Sequence, residues 1–86
     1  MITYSHLVTI DHEGDVPVYL QLAEILRGQI ERGELAPRRP LPSINSLAQQ
    51  YEVARGTVEK AVQVLRDEGL VRTVIGRGVY VVPKGG

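Results

Sequence analysis

The sequence contains no cysteine. That removes a disulfide framework, a thiolate nucleophile and every cysteine-ligated zinc or iron–sulfur site. Histidine is nearly as scarce: His6 and His12 are too few for a histidine metal cluster. Phenylalanine and tryptophan are absent, and the tyrosines Tyr4, Tyr19, Tyr51 and Tyr80 are not interleaved with basic residues. A base-stacking platform for single strands is therefore not expected. No apolar run approaches the roughly 18 residues of a membrane span, and the N-terminus lacks a basic-then-apolar export signal. The expectation is a cytoplasmic protein with no membrane partner. At 86 residues the chain is one small domain. A domain of that size buries only about 60% of its unfolded surface and has no room for a deep enclosed active site.

An excess of charge is also missing: ten Lys and Arg balance ten Asp and Glu. The balance is not uniform along the chain. Residues 1–37 carry two arginines against six carboxylates, a net charge of −4. Residues 38–86 carry eight basic against four acidic residues, a net charge of +4. Such asymmetry points to a molecule with one anion-facing end.

What is present is ordered as helix, helix, tight turn, helix, hairpin. Residues 1–15 read as an extended arm, with β-type runs at Ile2–Tyr4 and Leu7–Ile10 and an acidic turn at Asp11–Asp15. Pro17 can open a helix. Apolar residues then recur at Val18, Leu22, Ile25, Leu26 and Ile30, the spacing of an amphipathic helix, and Gly33 ends it. The proline-rich segment 36–42 reads as a loop. Ser43 is placed to cap a short helix carrying Ile44, Leu47, Ala48 and Tyr51 on one stripe. After a break at Glu52-Val53-Ala54, a third helix runs from about Arg55 to Glu68, with Val58, Ala61, Val62 and Leu65 inward. Gly69 follows as a helix stop. Leu70–Ile75 and Val79–Val82 flank Gly76-Arg77-Gly78, which predicts a β-hairpin. The expected fold is mainly α with a small β-hairpin wing, a winged helix-turn-helix over residues 16–83. Residues 84–86 read as a polar tail or the start of a linker, and Met1 as a native start.

Residues 44–63 carry the chemistry. A helix-turn-helix needs a small residue where its helices touch, supplied by Ala48, and apolar locks, supplied by Leu47, Tyr51, Val53, Val58 and Ala61. Glu52 stands where the turn often takes a positive φ, at a cost of about 1 kcal/mol for a non-glycine residue. The outward arc of the third helix carries Arg55, Gly56, Glu59, Lys60 and Gln63, with Thr57 in the first turn. Arginine presents a planar fork to a guanine edge or a phosphate. Gly56 allows close backbone approach, and a helix N-terminus attracts phosphate. An arginine held between Gly76 and Gly78 at a hairpin tip suits a narrow minor groove. Each feature also has a plain reading: solvated charges on an exposed helix, and a solubilising charge in a turn.

Catalytic and metal readings are weaker. Ser43 with His6 or His12 offers a nucleophile and a base without an oxyanion hole, and Ser43 serves better as a cap. His12 among Asp11, Glu13 and Asp15 reads as part of an acidic arm rather than a metal site. Asp67 and Glu68 read as solvent-facing carboxylates. No cofactor and no enzymatic activity are expected.

Together these motifs resemble the N-terminal winged helix-turn-helix domain of GntR-family bacterial transcription regulators. The resemblance runs from about Val16 to Val82. It rests on Pro17–Leu22, Ile30–Leu35, Leu41-Pro42-Ser43, Leu47-Ala48, Val53–Val58, Glu68–Val71 and Gly76-Arg77-Gly78. It implies a repressor that binds double-stranded operator DNA, usually as a homodimer on a near-palindromic site. It also implies contacts early in helix two, at the start of helix three and at the wing tip. By position these fall on Asn45, Arg55, Thr57, Gly76 and Arg77, and the surrounding candidates are Ser43, Gly56, Lys60 and Gly78. The family often has arginine where this chain has Asn45 and Glu59, and glycine after the proline of Pro37-Arg38-Arg39-Pro40. Family members usually add an effector or dimerisation domain, so no small-molecule effector site is expected in these residues. The competing reading is a winged helix that binds a protein partner without specific DNA binding, favoured by Glu59 and the zero net charge.

Overall fold

A computed structural model describes residues 10–83. It contains α1 (Val18–Glu31), α2 (Ile44–Tyr51), α3 (Arg55–Asp67), β1 (Val71–Val74) and β2 (Gly78–Val81). This is the expected winged helix-turn-helix. The expected β-type runs Ile2–Tyr4 and Leu7–Ile10 lie outside the described residues except for Ile10, which is in no strand, and the tail 84–86 lies outside them as well.

α3 is the central element, packed against α1, α2 and β1. Its four predicted inward residues, Val58, Ala61, Val62 and Leu65, are all buried. They meet Leu22, Ala23 and Leu26 of α1, Leu47 of α2, Leu41 of the preceding loop, and Val71 and Val81 of the hairpin in one cluster. A period of 3.6 residues places positions three and four apart on one face, so a short helix with this pattern has a single side to bury. Fixing α3 on that side fixes its opposite arc toward solvent.

The helix ends are set by local chemistry. Pro17 is the N-cap of α1 rather than its first helical residue, and its carbonyl accepts from the N–H groups of Leu20 and Gln21 at 3.0 and 3.2 Å. The Ser43 hydroxyl accepts from the Ser46 N–H at 3.0 Å and caps α2. α2 ends on Glu52, whose φ of 58° and ψ of 49° are left-handed. That geometry lets the Val53 N–H reach the Ala48 carbonyl at 3.0 Å and turns the chain into α3.

The hairpin is shorter than its β-branched residues predict. β1 and β2 pair antiparallel with Val71 opposite Val81 and Val74 opposite Gly78. Ile75, Gly76 and Arg77 form the tip, so Gly78 opens β2 instead of completing the turn. The loop 36–42 does more than connect. Pro40 bridges Tyr80 of β2, the Arg38 and Leu41 N–H groups donate to the Val81 and Val79 carbonyls, and the Val81 N–H donates to the Arg39 carbonyl. Proline is compatible with this outer position because an edge segment can lack a donor. The loop thereby covers the edge of β2 that β1 leaves free and ties the wing to the body.

Candidate nucleic-acid interface

The helix-turn-helix sets the N-terminus of α3 at the surface. Arg55 and Gly56 are its first two residues, and both are exposed. Ala54 is the N-cap and provides no side-chain acceptor. The first N–H groups of α3 are thus left without the capping oxygen that Ser43 gives to α2, and they carry the positive end of the helix dipole. Thr57 is half-buried, while Glu59, Lys60 and Gln63 are exposed along the same helix.

The fold does not require glycine at position 56. A Cβ built on it meets nothing within 4 Å, and its φ is not in the positive range. Gly76 differs. The Arg77 N–H donates to the Val74 carbonyl at 2.9 Å, closing a four-residue turn, and Gly76 holds its third position at φ +81°. That position of a type II turn favours glycine. Arg77 follows it, exposed at the tip, and Gly78 adopts φ +122° at the start of β2.

α3 and the hairpin line a common groove, with Glu59, Gln63 and Arg66 on the helix and Thr73, Gly76 and Arg77 on the wing. Of the predicted candidates the groove brings together Gly76, Arg77 and Gly78 of the wing, beside Glu59 and Gln63 of the outward arc of α3, whereas Arg55, Gly56, Thr57 and Lys60 are not among its lining residues. Two candidates are less free than the sequence suggests. The Ser43 hydroxyl caps α2 and also donates to Ser46 Oγ at 3.0 Å. The Lys60 ammonium lies 5.7 Å from the centroid of the Tyr19 ring, so it is drawn toward α1 by a cation–π contact. Asn45 is exposed in the first turn of α2.

Ion pairing sharpens the charge asymmetry. Arg27 binds Glu68 with both ends of its fork, at 2.9 and 2.7 Å, and also contacts Glu24. Arg32 pairs with Glu34 at 2.8 Å. Both arginines of the acidic half are neutralised within the chain. Among the described residues, Arg38, Arg39, Arg55, Lys60, Arg66, Arg72 and Arg77 form no salt bridge. Arg66 instead donates to the Gln63 side chain. The Glu68 carboxylate, expected to face solvent, is committed to Arg27 across the α1–α3 interface. The hydrogen bond and charge of Arg27 hold it below the ordinary glutamate range.

Sequence reasoning missed three further features. The Gln21 side chain accepts from the Asp11 N–H at 2.7 Å and donates to the Asp11 and Val16 carbonyls, pinning the end of the arm to α1. Arg38 adopts φ +66°, a conformation that favours glycine. Ile75 is 95% exposed at the wing tip. A β-branched residue after Val74 reads as strand, and only the turn hydrogen bond to Arg77 shows it standing free. Among the described residues, no group of three or more His, Cys, Asp or Glu side chains could hold a metal. None of the described helices is long and apolar enough to cross a membrane.

The fold and this interface define a winged helix-turn-helix domain. Residues 18–81 match the family described as "Bacterial regulatory proteins, gntR family". The chain belongs to the GntR family. It is 40% identical over 74 residues to the HTH-type transcriptional repressor NagR of Bacillus subtilis, covering 86% of this chain and 30% of that protein. It is 38% identical over 68 residues to the repressor MngR of Escherichia coli, covering 79% of this chain and 28% of that protein. The chain thus spans under a third of the length of these two relatives. Among solved structures it is similar to YtrA from Sulfolobus acidocaldarius, a GntR-family transcription factor. That match has 39% identity and a TM-score of 0.80, covering 90% of this chain and 81% of that one. It is also similar to AraR(DBD) in complex with operator ORE1, with 34% identity and a TM-score of 0.76, covering 85% and 89% of the two chains.

Proposed function

We infer that this chain is the operator-binding part of a cytoplasmic transcription repressor. α3 enters the major groove of double-stranded DNA and the wing tip enters the adjacent minor groove. The observation that carries this reading is the placement of two exposed arginines that form no salt bridge among the described residues, Arg55 at the start of α3 and Arg77 at the wing tip. Arg55 has the planar fork for a guanine edge or a phosphate. Arg77 carries a cation into the groove where the potential of DNA is most negative. Thr57 and the open N–H groups of α3 hold a phosphate, and Asn45 adds a neutral donor and acceptor beside it. Gly56 and Gly76 keep bulk away from the sugar-phosphate wall. Ser43 acts mainly by holding α2 in register, and Lys60 adds charge from the α1 side.

On this reading residues 16–83 are the DNA-binding unit, preceded by the arm 1–15 and followed by the tail 84–86. Two copies bind as a homodimer on half-sites spaced by the helical repeat of DNA. The chain does no catalysis, and effector control is assigned to no residue within it. The relatives are named as regulators, which agrees with this assignment. Its test is the binding of Arg55→Ala and Arg77→Ala to an operator selected from a random duplex pool. Arg77→Ala is expected to weaken binding, and Arg55→Ala to weaken it and relax sequence preference. Unchanged binding by both variants would overturn the assignment.

A further inference from the structure

The outward arc of α3 carries a charge of the wrong sign for DNA. Glu59 is exposed, and it stands four residues after Arg55, one turn along the same helix. It lines the groove between α3 and the wing together with Gln63, Arg66 and Arg77. Among the described residues its carboxylate forms no salt bridge, although two arginines line the same groove. It makes no side-chain hydrogen bond there either. The other carboxylates near the end of α3 are engaged: Asp67 accepts from Gln63 at 2.7 Å, and Glu68 holds Arg27.

A carboxylate only accepts hydrogen bonds. Phosphates, carbonyl oxygens and ring nitrogens of DNA are acceptors too, and each repels it. In the major groove the neutral donors are the exocyclic amino groups of cytosine and adenine. At adenine the amino group sits beside N7, an acceptor that would face the second carboxylate oxygen. At cytosine it sits beside a C–H edge, which does not. We propose that Glu59 is a specificity-determining residue that accepts a hydrogen bond from a cytosine amino group in the major groove of each half-site. The inference rests on the DNA-binding reading above and adds the base that one position selects. The same charge lowers affinity for phosphate everywhere else, so Glu59 trades non-specific binding for discrimination.

The experiment is parallel selection from a random duplex pool by the 86-residue chain and by its Glu59→Gln and Glu59→Ala variants. Wild type is expected to enrich cytosine at one position of each half-site. Glu59→Gln shifts that position toward adenine, because an amide pairs with both N6 and N7. Glu59→Ala leaves it unspecified. On the wild-type operator, replacing the cytosine costs wild type roughly 5- to 150-fold in affinity and costs Glu59→Ala nothing. Binding of Glu59→Ala to a random duplex strengthens, an effect that a merely structural role would not produce. Thermal unfolding of the variants at the wild-type midpoint confirms that the fold is retained, as expected for an exposed side chain without partners. A wild-type motif reproduced unchanged by Glu59→Ala overturns the assignment of Glu59 and leaves the DNA reading standing. A wild-type selection that enriches no sequence overturns both.

Discussion

Replacing Gly56 with alanine separates what the fold needs from what the ligand needs. Gly56 is the second residue of α3, and a Cβ there meets nothing within 4 Å. The chain therefore gives up helix stability at this position without a packing reason. Glycine in a helix costs about 0.5–1 kcal/mol relative to alanine, from the backbone freedom lost on folding. Gly56→Ala should return most of that. For a domain of this size 1 kcal/mol corresponds to roughly 4–8 °C in Tm, so the melting point should rise by about 2–8 °C. On DNA the sign reverses. If the α3 backbone approaches a phosphate or base edge at this glycine, the added methyl must displace it. Overpacking of that kind costs about 1–3 kcal/mol, or roughly 5- to 150-fold in Kd. Circular dichroism melts and fluorescence anisotropy on a selected operator read the two effects on the same samples. A variant that is more stable and binds equally well refutes the close approach at Gly56. A variant that is less stable refutes the structural account of the free domain.

Two other expectations concern the scaffold. Glu52 holds φ 58° at the turn between α2 and α3. Glu52→Gly relieves about 1–2 kcal/mol of left-handed strain against about 0.4–1 kcal/mol of added chain entropy. The mid-range difference is about 0.8 kcal/mol, so Tm should rise by roughly 3–6 °C, while Glu52→Ala, which keeps its Cβ, gains nothing; equal melts for the two variants would contradict the strain. The second concerns acid. Arg27 lowers the Glu68 carboxylate below its ordinary range, so its folded pKa lies under its unfolded one. Its stabilisation is complete above the unfolded value of about 4.3 and is lost as pH falls through the folded value. Wild type should exceed Glu68→Gln in stability near neutrality and lose that margin in acid, as followed by urea unfolding across pH. A margin that persists at pH values well below the carboxylate range would show that the pair is not its source.

How much of this was readable beforehand depended on the range of the interactions. The buried face of α3 was legible because Val58, Ala61, Val62 and Leu65 repeat with the helical period, and all four are buried. The Ser43 cap was legible because its partner is three residues away. The hairpin was legible in kind but not in extent. A single turn hydrogen bond, not residue preference, puts Ile75 at the tip and Gly78 in the strand. Pairings between distant segments left no local mark. Arg27 and Glu68 are 41 residues apart, and Pro40 meets Tyr80 through backbone groups that every residue possesses. The zero net charge says little about the surface for the same reason. It counts Arg27 and Arg32 as though they were available, whereas folding neutralises both and leaves the described cations of the basic half without carboxylate partners.

The sharpest test of DNA binding through Arg55 and Arg77 is the salt dependence of operator affinity. The measurement is anisotropy of wild type, Arg55→Ala and Arg77→Ala on the selected operator and on a random duplex, across a series of salt concentrations. Wild-type affinity is expected to fall steeply with salt through counterion release. Where the lost arginine contacts a phosphate, the slope falls by about one. Binding to the random duplex should be weak but measurable at low salt. Absence of association with any duplex at low salt, or binding that ignores salt and both arginines, would contradict the account and favour a protein as the partner of this surface.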